Sequence, residues 1–176
     1  MKIICLSGKA RHGKDTAATY LKQLFELDGK RVLVAHNADL LKYICKTFFD
    51  WNGEKDEAGR ELLQHVGTDI VRKKYPDFWA QFLADILYLF PNQWDYVIVA
   101  DCRFMNEIDL YGNLGFDAMH VRVVRNNFDS PLTAEQQQHE SEVALDTVVP
   151  DWIIDNSGDL TEFYDNLKVL LLEITK

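Results

Sequence analysis

No stretch of this 176-residue chain is long and apolar enough to cross a membrane as a helix. The longest candidate, Phe78 to Phe90, is broken by Gln81 and Asp85 and falls short of the roughly 20 residues a span requires. The opening Met1-Lys2-Ile3-Ile4-Cys5-Leu6 is too short for the core of a signal peptide and reads as a first strand. Positive charge is also scarce. Lys and Arg number 19 against 28 Asp and Glu, a formal net charge of −9, which excludes gripping a nucleic-acid backbone as the main task. Any polyanionic ligand must therefore meet a locally basic site. Cysteine is limited to Cys5, Cys45 and Cys102, odd in number and in apolar surroundings, so reduced core thiols in a cytosolic protein are expected rather than a disulfide framework. No Cys/His set has zinc-ligand spacing, and there is neither an internal repeat nor a low-complexity tract.

What is present is ordinary globular composition, 47% hydrophobic and 27% charged, in a length that suits one α/β domain. Ile3 to Leu6, Val32 to Ala35, Tyr96 to Ala100, Met119 to Val123 and Trp152 to Ile154 read as strands. Between them lie stripes at helical spacing: Ala17 to Phe25, Leu40 to Phe48, Leu62 to Val71, Phe78 to Leu87, Asn106 to Leu114 and Leu160 to Ile174, the last with Asp159 and Glu162 at capping-box spacing. Strands alternating with helices predict a parallel five-stranded sheet with helices on both faces, and ligands bound beyond the carboxyl ends of its strands. Residues 126–150, with Pro131, three consecutive glutamines and few large apolar side chains, read as a mobile excursion rather than core.

Gly8-Lys9-Ala10-Arg11-His12-Gly13-Lys14 matches the first seven positions of G-x-x-x-x-G-K-[ST], in which backbone amides cradle phosphates and the lysine reaches the β and γ groups. The match follows a predicted strand and opens a predicted helix, so the helix dipole and its free amides converge where phosphate would lie. Asp15 stands where Ser or Thr is usual, and Thr16 follows. Thr16, Asp15 and bridging waters all remain candidates for holding Mg²⁺. Lys14 is expected to face solvent from the loop. His12 is expected to contribute its backbone amide rather than acid–base chemistry. A second constellation lies at the end of Val97-Ile98-Val99-Ala100-Asp101, where such an acid either serves the metal or its waters or caps a helix, with Arg103 two residues on.

Gly8 to Thr16 resembles the loop of phage and bacterial deoxynucleoside monophosphate kinases. Leu62-Leu63-Gln64-His65-Val66-Gly67-Thr68-Asp69, Arg72, Phe78-Trp79, Asp101-Cys102-Arg103-Phe104-Met105-Asn106-Glu107 and His139-Glu140-Ser141-Glu142 resemble that family in the same order, across nearly the whole chain. The resemblance implies a single P-loop NTPase domain over residues 1–176, with a helical acceptor-binding segment (37–90) and a lid (126–150). It implies transfer of the γ-phosphate of ATP, with Mg²⁺, to a deoxynucleoside monophosphate.

Carried over residue by residue, it places Gly8, Ala10, Arg11, His12, Gly13, Lys14, Asp15 and Thr16 around the ATP phosphates. Asp101, with Asp15 and Thr16, falls on the metal, Arg103 on the acceptor phosphate and Arg125 on the ATP side. The acceptor pocket would be built from Lys42, Gln64, Arg72 and Trp79, although Trp79 also fits simple core and Arg72 and Lys42 also fit a solvated face. His139 fits either a lid anchor or a surface position. Residues 126–150 contain no Lys or Arg, which leaves Arg11 as the nearest cation for the transferring phosphoryl group. The partners implied are small molecules, without nucleic acid polymer or membrane, and a homodimer is left open. Two other readings stay open: a kinase of another phosphorylated metabolite, since animal-type phosphomevalonate kinases resemble the same loop, and an ATP-binding regulator without turnover.

Overall fold

The computed structural model describes residues 1–175. Five strands, β1 (Lys2–Ser7), β2 (Val32–Ala35), β3 (Tyr96–Val99), β4 (Asp117–Val124) and β5 (Trp152–Asp155), form one sheet in the order β2-β3-β1-β4-β5. Every pairing is parallel, and β1 is central, with Ile3 opposite Val97 and Ala118. Because side chains alternate along a strand, each central strand feeds two cores. Ile4, Leu6, Ile98, Ala100, Val121 and Val123 point to one face, where α1 (Lys14–Leu27) and α8 (Leu160–Ile174) cover them with Leu21, Phe25, Phe163 and Leu167. Ile3, Cys5, Val97 and Val99 point to the other, under Leu83 and Leu87 of α4 (Phe78–Leu89) and Ile108 and Tyr111 of α5 (Met105–Asn113). The three cysteines are free and buried.

A third, smaller core joins Leu41 and Cys45 of α2 (Asp39–Phe48) to Trp51, Val66 and Trp79. The single helix expected over Leu62 to Val71 is two pieces. α3 (Glu57–Gln64) passes directly into a π-helical segment, His65–Arg72, whose wider turn redistributes the side chains that follow. Residues 126–150 depart from the expected mobile excursion. They form α6 (Ala134–Gln138) and α7 (Glu140–Val143), bury Leu132, Gln136 and Leu145, and pack Leu145 into the core beneath α4 and α5. The cause is local: Thr133 Oγ1 accepts from the Gln136 N–H while the Gln136 side chain accepts from the Thr133 N–H, a reciprocal cap that starts a helix in a polar stretch.

Candidate active site

Three loops meet at the carboxyl ends of β1, β2 and β3. The first, between β1 and α1, needs its glycines. Gly8 has φ 138° and a Cβ there would lie 2.4 Å from the Val123 carbonyl oxygen, while Gly13 has φ 103° and a Cβ would lie 2.5 Å from Asn156 Nδ2. That same Asn156 nitrogen, just past β5, donates to the His12 carbonyl at 2.8 Å and braces the loop. Lys14 does not face solvent as expected. It is 9% exposed, and its ammonium donates to the Gly8 carbonyl (2.7 Å) and the Lys9 carbonyl (2.9 Å), so the loop folds around it. Burial, and then the nearby charge of Arg103, pull its pKa down to about 7, against the opposing pull of Glu142, Asp15 and Asp101. Burial also lowers the His12 pKa, and its Nδ1 accepts from the Arg125 N–H at 3.2 Å.

Asp101 receives the Asn37 N–H at 2.7 Å on one oxygen and the Ala38 N–H at 3.1 Å on the other, so it caps the approach to α2 as well as standing beyond β3. Beside it His36 Nε2 lies 3.2 Å from Asp15 Oδ1, and His36 Nδ1 lies 3.5 Å from Asp39 Oδ2. The bond to Asp15 raises the His36 pKa, and the same contact lowers that of Asp15. Among the described residues no three His, Cys, Asp or Glu side chains converge as a metal cage. Two separate carboxylates beside a phosphate loop still fit Mg²⁺, which binds through one or two carboxylates plus substrate phosphates and keeps several waters.

These loops open into one cavity of about 640 Å³. Ala10, Arg11, Lys14 and Asp15 line one end, Asp101 and Arg103 the middle, and Lys42, Gln64, Arg72 and Trp79 the side formed by the helices between β2 and β3. Arg72 sits with its guanidinium 3.9 Å from the Phe104 ring centre, paired to the buried Glu107. Trp79 is 3% exposed and its indole N–H donates to the Gly67 carbonyl at 2.9 Å, so it supports the π-helical segment as well as lining the cavity. Lys42 pairs with Asp39 at 2.8 Å. Arg103 Nη1 lies 2.6 Å from Glu142 Oε1, and Glu142 Oε2 accepts from the Ala10 N–H at 3.2 Å. Lys9 adds bonds to the Glu142 carbonyl and to Asp146, tying α7 to the phosphate loop.

Not every expected residue comes to this cavity. Thr16 lines a shallow depression with Thr19, Tyr20 and Tyr164 instead, and Gly8 and His12 line a smaller pocket of about 200 Å³ behind the loop. Arg125 is exposed and rests 4.4 Å from the Phe128 ring centre. His139 Nδ1 accepts from the Ser141 N–H and caps α7. His36, Asn37, Glu107 and Glu142 join the site without a role expected from the sequence. For Glu107 a signal existed, an acid three residues after Phe104 at a helix start. For Glu142 the family-like His139-Glu140-Ser141-Glu142 was the only hint.

A family model described as deoxynucleotide monophosphate kinase matches residues 28–167. Among curated relatives, the deoxynucleotide monophosphate kinase of Enterobacteria phage T4 is 31% identical over 66% of this chain, and a protein of Acanthamoeba polyphaga mimivirus, given the same name provisionally, is 27% identical over 95%. The chain spans 94% of the mimivirus protein but 46% of the phage T4 enzyme. Among solved structures, the APS kinase CysC of Mycobacterium tuberculosis in complex with AMPPNP and APS covers 99% of this chain and 98% of its own at 14% identity and a TM-score of 0.53, a likeness of fold. A parallel sheet with a phosphate loop after its central strand, together with a family match over most of the sequence, places this chain in the deoxynucleotide monophosphate kinase family.

Proposed function

We propose that the chain transfers the γ-phosphate of ATP to a deoxynucleoside monophosphate, giving ADP and a deoxynucleoside diphosphate. The observation that carries this reading is the single cavity running from the phosphate loop, past Arg103, to Arg72 and Gln64. Phosphoryl transfer needs donor and acceptor in line with fixed cations near them and little covalent help from the protein, and one continuous cavity lined by Arg11, Arg72 and Arg103 is suited to that. Loop amides and Lys14 would hold the donor phosphates, Arg103 and Arg72 the acceptor phosphate, with Gln64 and Trp79 at the base. Asp15 and Asp101, with Thr16 as the outlying third, would serve Mg²⁺, which when bound neutralises charge on the β and γ oxygens.

An ADP-release assay with each common dNMP and NMP tests the reading, and absence of turnover with every dNMP would remove it. Lys14→Ala is expected to lower kcat by on the order of 10³-fold or more, because Lys14 acts on developing charge. Its removal deprives the Gly8 and Lys9 carbonyls of a donor, so the fold should persist at a cost of about 1–2 kcal/mol. Circular dichroism alongside the kinetics separates the two effects.

A further inference from the structure

Two arginines of the cavity come from different parts of the chain, Arg72 from the end of the π-helical segment and Arg103 from the loop after β3, and one carboxylate reaches both. Glu107, in the first turn of α5, is 2% exposed. Its Oε1 pairs with Arg72 Nη2 at 2.5 Å, and its Oε2 accepts from the Arg103 N–H at 2.7 Å and the Phe104 N–H at 3.2 Å. The Arg72 guanidinium carbon in turn lies over the Phe104 ring, 3.9 Å from its centre, and Arg72 Nη1 donates to the Pro76 carbonyl at 2.9 Å. Arg72 is thus held on three sides, while its Nε, also buried, has no hydrogen-bond partner among the described residues.

The two amide contacts cap α5, but stability does not account for the ion pair. A buried ion pair costs about as much in desolvation as it returns, and well-packed apolar residues in its place are often no worse. What the pair does provide is geometry: a guanidinium recognises a phosphate through a planar fork, and a fork must be aimed.

We propose that Glu107 is a positioning residue for the acceptor, fixing the Arg72 fork through an ion pair and the backbone of Arg103 through an amide contact, so that both cations meet one phosphate monoester. This rests on the reading of the acceptor end given above. Glu107 touches no substrate itself. Its pairing with Arg72 cancels a unit of charge at that end of the cavity, so the recognition it supports depends on direction more than on net charge.

The test is steady-state kinetics of Glu107→Gln, Glu107→Asp, Arg72→Ala and the double variant Arg72→Ala/Glu107→Gln, with dNMP and ATP varied separately. Glu107→Gln is expected to raise the KM for dNMP by about tenfold or more, the scale of a charge-assisted hydrogen bond, while the KM for ATP stays within about twofold. Glu107→Asp keeps the charge and should recover part of the loss. The double variant should lose less than the product of the two single losses, since Glu107 acts in part through Arg72. A merely structural role would lower kcat and thermal stability and leave the two KM values alone or move them together, and that outcome overturns the proposal. If Glu107→Gln does not fold, Glu107→Asp decides by the same split between the two KM values. A wild-type protein inactive with every dNMP sinks the functional reading together with this inference; an active one with an unmoved dNMP KM in both Glu107 variants sinks this inference alone.

Discussion

Glu142 holds two of the groups that a phosphate would need. Its carboxylate accepts from the Ala10 amide of the phosphate loop and pairs with Arg103, and the side chain is 7% exposed, so an internal anion lies against the loop. The charge of such a carboxylate opposes the burial that lowers the Lys14 pKa. It must also give way, or at least loosen, when a phosphate arrives, because like charges at contact distance repel. Glu142→Gln preserves the size and an acceptor oxygen while removing the charge. Calorimetric titration with inorganic pyrophosphate is therefore expected to show binding tightened by roughly three- to tenfold in the variant, the scale of one partly screened charge contact. Weaker binding would mean that Glu142 supports the anion site instead of competing for it.

At the scale of elements, the pairing of β1 with β4 sets the phosphate loop on its base. Ser7, the last residue of β1, meets His120 Nε2 at 2.7 Å, and the His120 N–H donates to Asp151 at 2.8 Å. Burial, with the charge of Arg122 adding to it and Asp151 opposing, pushes the His120 pKa down to about 4. Between that value and an ordinary histidine pKa the unfolded chain binds the extra proton, so stability is fully present above about pH 6.5 and falls as pH drops toward 4. The loss should be of order 2–3 kcal/mol across that window. Urea unfolding at pH 7 and pH 4.5 checks this, since His120→Gln should lose less between the two conditions than the wild type does. The strands and most helices were legible because buried parallel strands and amphipathic stripes announce themselves locally: Val32–Ala35 matches to the residue, and Asp159 caps α8 through the Thr161 and Glu162 amides, the Asp159 half of the expected capping box. The π-helical segment was not legible, since 3.6-residue periodicity over Leu62 to Val71 says nothing of a locally wider turn held by Trp79 on Gly67. Nor was the meeting of Glu107 with Arg72, which depends on packing α5 against a segment 35 positions earlier. Lys14 was legible as a functional lysine and misread as exposed, because no local pattern shows a loop closing over its own side chain.

Over the whole molecule, charge is distributed against its average. The chain carries a net charge of −9, yet Arg11, Lys14, Lys42, Lys55, Arg60, Arg72 and Arg103 all line one cavity, where Asp15, Glu54, Asp56, Asp101, Glu107 and Glu142 bring it near charge balance, so the site is less acidic than the chain as a whole. None of these cations comes from residues 126–150, which instead bring Glu142 to the loop. On the proposed reading, the cation that stabilises the transferring phosphoryl group comes from outside residues 126–150, and Arg11 is the candidate for it. Arg11 stands in the left-handed backbone region at φ 59°, exposed and lining the cavity, and makes no hydrogen bond or ion pair among the described residues. A non-glycine residue held in that region costs roughly 1 kcal/mol or more, a strain that functional loops commonly store. Arg125 is the competitor, but it lies outside the cavity, stacked on Phe128. Arg11→Ala is therefore expected to lower the rate of phosphoryl transfer by something approaching the ~10³–10⁵ associated with arginine fingers, with ATP affinity little changed, and Arg11→Lys to restore little because a point charge does not reproduce the fork. Arg125→Ala should act chiefly on the KM for ATP. Single-turnover rates of the two alanine variants decide between them: an unchanged rate for Arg11→Ala with a collapse for Arg125→Ala would move the role to Arg125 and require residues 126–128 to swing toward the cavity when ATP binds.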